Sequence, residues 1–139
     1  YDALVALVGD NAPVDEFKRG LIDYCARQYD PALAAFTRSI QAGNRVADSR
    51  YWAGLAFRAQ GDTSNALRQF NLILSSFPTA NVWGLAWLEK AQTLAVAGNT
   101  LDAVATYREF AAKHPGHPQA PEALWRAAQL LDRAPSGLR

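Results

Sequence analysis

Methionine is absent from this 139-residue chain, and cysteine occurs once, at Cys25. A reading frame therefore does not open at Tyr1, and the sequence is expected to be a processed or excised piece of a longer protein, with any catalytic parts outside it. A lone thiol excludes an internal disulfide and a thiolate zinc site, and it leaves the redox compartment open. An excess of one charge is lacking too: fourteen Lys and Arg stand against thirteen Asp and Glu, a formal +1, and neither sign forms a run. Such a chain has no electrostatic footprint for nucleic acid or anionic lipid, and neither is expected as a partner. No apolar stretch nears the roughly 20 residues that cross a bilayer, and residues 1–8 lack the basic start and cleavage pattern of a signal peptide. Membrane insertion is not expected.

Groups that carry chemistry are equally sparse. The two histidines, His114 and His117, sit in a Pro- and Gly-containing turn with only Glu109 and Glu122 nearby, whereas a structural zinc site wants about four ligands. Turn formation is the expected role. Cys25 has no base in its vicinity and reads as a small apolar filler. Ser, His and acid form no recognised spacing, no Gly-rich phosphate loop occurs, and Asp15/Glu16 stand at a helix start, where acids favour the helix dipole. No catalytic residue, metal or cofactor is expected.

What the chain does have is a repeat. Half of its residues are hydrophobic, and they recur with helical periodicity, interrupted by turn residues at regular distances. Three times an Ala is followed four residues later by an aromatic, at Ala32/Phe36, Ala66/Phe70 and Ala103/Tyr107, each time twelve residues after a small residue, Gly20, Gly54 or Ala91. Gly54 follows Gly20 by 34 residues, and Ala91 follows Gly54 by 37. Helices are predicted at 13–27, 30–42, 46–60, 63–76, 82–97, 100–113 and 119–133, with Asp30 as the N-cap of the second and Pro78 and Pro115 stopping the chain after the fourth and sixth. Residues 1–8 read as the end of a preceding helix. The expected contact is close packing: a small residue on the first helix lets the second approach, its Ala meets the gap, and the aromatic fills space between one repeat and the next.

A period of about 34 built on small-x11-Ala-x3-aromatic resembles the tetratricopeptide signature. Residues 54–78, running GLAFRAQGDTSNALRQF and on to SSFP, carry the likeness best, and the first repeat departs from it only in having Arg27-Gln28-Tyr29 where Gly is usual. The resemblance implies an all-α, right-handed superhelical array of antiparallel helix pairs, a single domain over 1–139. Repeats are placed at about 13–44, 45–78 and 81–115, with partial repeats at both ends. More narrowly, EFKRGL at 16–21 together with 120–131 is similar to the helical region upstream of the catalytic domain of bacterial soluble lytic transglycosylases. That likeness implies a periplasmic or exported protein in which the helices scaffold a peptidoglycan-cleaving domain outside this chain; the Glu-Ser motif of that enzyme is absent here.

In the tetratricopeptide family the first helices line a concave face, so the resemblance implies a groove of Phe17, Leu21, Tyr24, Tyr51, Leu55, Arg58, Leu88, Gln92, Trp125 and Gln129. Such a face suits a peptide, a partner helix or another domain of the parent chain, or is buried by neighbouring repeats. The donors with which chaperone-binding members grip a terminal carboxylate are missing, Phe17 and Leu21 standing at those stations, so a carboxylate clamp is not expected. Arg126 and Arg133 read as solvated surface.

Overall fold

A computed structural model describes residues 15–133. The expected helix at 1–8 and the Pro13 start of the first repeat lie outside these residues. Seven helices follow one another within them: α1 Glu16–Cys25, α2 Tyr29–Gln41, α3 Val46–Ala59, α4 Thr63–Ser76, α5 Trp83–Val96, α6 Thr100–Lys113 and α7 Ala120–Arg133. No strand occurs among the described residues. Each helix packs on the next, and α3 also touches α1 and α5 directly. The result is an all-α solenoid of helix pairs.

Local chemistry sets the helix ends. Asp15, in extended backbone, accepts from the Lys18 amide at 3.2 Å, so α1 starts at Glu16. Asp62 caps α4 the same way through the Asn65 amide, also at 3.2 Å. Between paired helices one residue takes positive φ: Gly61 (79°), Gly98 (90°) and, in the first repeat, Arg27 (60°). Arg27 stands 34 residues before Gly61, so the turn keeps its geometry without glycine, although an L side chain there costs about 1 to 2 kcal/mol. This corrects the expected cap. Because the turn is conserved in length, the residue ahead of α2 is Gln28, and Asp30 falls inside the first turn. There its carboxylate accepts from Gln60 Nε2 at 2.7 Å and ties two successive hairpin turns together.

The core is a chain of three clusters, each made by one helix pair and the first helix of the next. Phe17, Ala32, Phe36 and Ala53 form the first. Leu55, Ala66, Phe70, Ile73, Val82 and Ala86 form the second. Trp87, Leu88, Ala91, Val104, Tyr107, Phe110, Ala123 and Ala127 form the third. Such nearest-neighbour burial is how a solenoid spreads its stability. The gap over the small residue is filled differently from expectation: the aromatic of the same repeat stands on it, not the Ala. A Cβ added at Gly54 would lie 2.6 Å from Phe70 Cε1, and one at Gly20 would collide with the Phe36 ring. The same rings reach the next repeat's first helix, so each aromatic closes both seams, with burial of roughly 1.5 to 3 kcal/mol apiece. Polar ties are few: Ser49 Oγ donates to Ser39 Oγ at 3.1 Å, and Ser39 Oγ to the Asn44 carbonyl at 2.7 Å, both hydroxyls buried where α2 meets α3.

Candidate functional site

The first helices of successive repeats, α1, α3, α5 and α7, bring polar and aromatic side chains to one face. Tyr24 of α1 packs edge-on against Trp52 of α3, centroids 5.3 Å apart. Tyr51, one residue earlier, stands edge-on to Phe70 at 6.2 Å. From α3, Arg58 Nη1 donates to Glu89 Oε2 of α5 at 2.5 Å, and Thr93 Oγ1 donates to the Glu89 carbonyl at 2.7 Å. Farther along, the Tyr107 hydroxyl donates to Gln92 Oε1 at 3.4 Å, and Arg126 Nε of α7 donates to Glu122 Oε1 at 2.8 Å.

The electrostatics treat this row as one environment. Burial is the main cause that pushes Tyr51 up to about 12; the Glu89 carboxylate adds to it and the Arg58 guanidinium works against it. Tyr24 is raised by burial and then by Tyr29. Tyr107 is raised by burial despite its hydrogen bond with Arg126. Burial disfavours the Arg126 charge, and the hydrogen bonds to Glu122 and Tyr107 outweigh it, so Arg126 is held more firmly protonated than usual. All three phenols are therefore neutral at physiological pH. Tyr24 and Tyr51 are half-buried and available as donors and acceptors, Tyr107 is buried and already bonded to Gln92 and Arg126, and each arginine is matched by an acid.

The implied groove residues divide three ways. Tyr24, Tyr51, Arg58 and Gln92 belong to this row. Phe17, Leu55 and Leu88 are 3%, 8% and 4% exposed and locked in the three core clusters. They are corrected to core: the apolar side chains at these stations turn into the helix seams, and longer polar ones reach out. Leu21 and Gln129 are half-buried. Trp125 is 58% exposed, whereas Leu88, 37 residues earlier at the same station, is covered by α6. Among the described residues no second helix lies over α7, and Leu124, 52% exposed, shares that bare face.

Glu89 and Arg126 were not foreseen as site residues. Arg126, read from sequence as solvated surface, is tied to Glu122 one turn earlier on its own helix and to Tyr107 of α6, and only the packing of α7 on α6 supplies the second tie. Cys25 is exposed and so is no filler, being the last residue of α1 beyond the packed seam.

His114 and His117 are used for packing. His114 stands edge-on to Trp83 at 4.8 Å, and His117 packs on Phe110 at 5.1 Å. His117 Nδ1 accepts from the Gln119 amide at 3.1 Å, which leaves the proton of the neutral ring on Nε2 and makes that nitrogen a donor, not a metal ligand. Among the described residues no three His, Cys, Asp or Glu side chains gather closely enough to hold a metal ion. No helix among them is long and apolar enough to cross a membrane.

A family profile described as tetratricopeptide repeat matches residues 17–81 and 88–136. The chain belongs to the tetratricopeptide repeat family. Repeats of this family generally mediate protein–protein interaction. No curated protein matches the chain.

Proposed function

We propose that the chain is a non-catalytic scaffold that docks a peptide, a helix or another protein domain along the row Tyr24–Tyr51–Arg58/Glu89–Gln92–Arg126. One observation carries this reading: half-buried side chains from four successive first helices are held in place by contacts between repeats, so a surface is pre-organised before anything binds. Neutral phenols, an amide and two internally paired arginines favour a partner with mixed polar and apolar groups over a strongly charged one, because a lone charge would have to compete with an existing ion pair.

The test uses peptides selected on the purified chain from a random display library. Their affinities are then measured for the native protein, for Tyr51→Ala and for the double variant Arg58→Ala/Glu89→Ala, which removes the pair without leaving one charge unmatched. Weakening by about 10-fold or more is expected for variants that keep native helicity and melting, the range of an interface anchor. Unchanged affinity in both would move the docking surface elsewhere.

A further inference from the structure

On the edge formed by α1 and α2, away from the row above, Asp23 is 7% exposed. Its carboxylate makes no hydrogen bond or ion pair with any described residue. It opens into a cavity of about 400 Å³ lined also by Gln28, Pro31, Ala34 and Arg38. The nearest guanidinium in that lining is already engaged, since Arg38 Nε lies 3.0 Å from Glu16 Oε2. At the equivalent station, 34 residues on, the second repeat carries Phe57, and the third carries Leu94 a further 37 on. A carboxylate has thus replaced an apolar side chain at a position that packing alone fills with hydrophobes.

A recessed carboxylate that meets solvent only inside a cavity, and that no cation of the described residues pairs with, is open to a ligand that supplies the opposite charge. We propose that this cavity is a binding site for an organic cation of the ammonium or guanidinium type, seated on Asp23, with its carbon body over Pro31 and Ala34 and its outer polar end within reach of Gln28. The volume lies in the range of small-ligand pockets. The walls other than Asp23, Gln28 and Arg38 are apolar, as suits the methylene stem of such a cation.

The probes are N-acetyl-lysine methylamide and N-acetyl-arginine methylamide, with N-acetyl-norleucine methylamide as the uncharged match, titrated into the 139-residue chain and followed by amide chemical shifts. Saturable shifts centred on residues 23–38 are expected for at least one cation and not for the norleucine compound. Asp23→Asn, nearly the same shape, should weaken that binding by about 10- to 100-fold, the range of a hydrogen bond to a charged group. The same variant read in a thermal melt without ligand should melt at about the same temperature, because the carboxylate makes no contact with the described residues that the amide would lose. The two cations separate ammonium from guanidinium as the source.

No saturable binding of either cation, equal binding of the norleucine compound, or undiminished binding by Asp23→Asn would each overturn the proposal. So would a lower melting temperature for Asp23→Asn, which would mark the carboxylate as a structural partner of the fold.

Discussion

Replacing Gly54 by Ala sets two effects of opposite sign against each other. Gly54 lies inside α3, where Ala is the better helix former by about 1 kcal/mol, so local propensity alone says the variant is more stable. Packing says the reverse. The added Cβ would stand 2.6, 2.7 and 3.2 Å from Cε1, Cζ and Cδ1 of Phe70, against an optimum carbon–carbon separation of roughly 3.5 to 4.0 Å. The ring would have to retreat by roughly 1 Å, and it is 0% exposed, held among Ala66, Ile73, Val82 and Ala86 with Tyr51 edge-on. Forcing a methyl into such a place costs about 1 to 3 kcal/mol, occasionally more.

With the ring held on every side the steric term is the larger, and Gly54→Ala is expected to lose up to about 2 kcal/mol net, read from urea unfolding followed by circular dichroism. Phe70→Ala should lose about 3 to 5 kcal/mol. Combining Gly54→Ala with Phe70→Leu separates the two effects: with the ring gone, Gly54→Ala should become neutral or stabilising, a coupling of about 1 kcal/mol or more. A Gly54→Ala protein that unfolds at higher urea than the native chain, or a coupling near zero, would refute the stacking of Phe70 on Gly54.

Arg27→Gly should stabilise the chain by about 0.5 to 1 kcal/mol by relieving a left-handed L residue, whereas Gly61→Ala at the equivalent turn should destabilise it; an unchanged or lower urea midpoint for Arg27→Gly would contradict the shared turn geometry. Alkaline pH should weaken the fold. Tyr51 titrates near 12 when folded and near 10 when unfolded, so its contribution is complete below pH 10 and is lost as pH rises toward 12. That loss amounts to about 1 to 2 kcal/mol once partial exposure is allowed for. Tyr51→Phe should flatten the decline of melting temperature over this window, and an equally steep decline would remove Tyr51 as its source.

Much of the fold is legible in the residues because helix pairing leaves a periodic trace. Gly20, Gly54 and Ala91 with Phe36, Phe70 and Tyr107 report the spacing of stacked hairpins before any coordinates are known, and Pro78 and Pro115 mark where the chain must leave a helix. The candidate site is less legible. Tyr24, Tyr51, Arg58 and Gln92 are reachable from the repeat register, but the same register also nominates Phe17, Leu55 and Leu88, since equivalent stations carry no sign of which way a side chain turns. Glu89 leaves no trace, because the Arg58–Glu89 pair depends on the angle between helices whose partners are 31 residues apart in sequence, and Arg126 leaves only the i,i+4 spacing to Glu122, which says nothing of Tyr107.

The sequence by itself determined the all-α repeat and the family, and it marked where each turn falls, although the helix after Arg27 starts at Tyr29 and not behind an Asp30 cap. These are properties of neighbours along the chain, governed by backbone preference and by the spacing of small and aromatic residues. Tertiary structure alone decided that the aromatic ring and not the alanine sits on the small residue, that three groove stations are core, and that Asp23 is recessed in a cavity with no partner among the described residues. Burial and pairing depend on where distant helices come to rest, and a periodic pattern sets their order without setting their rotation.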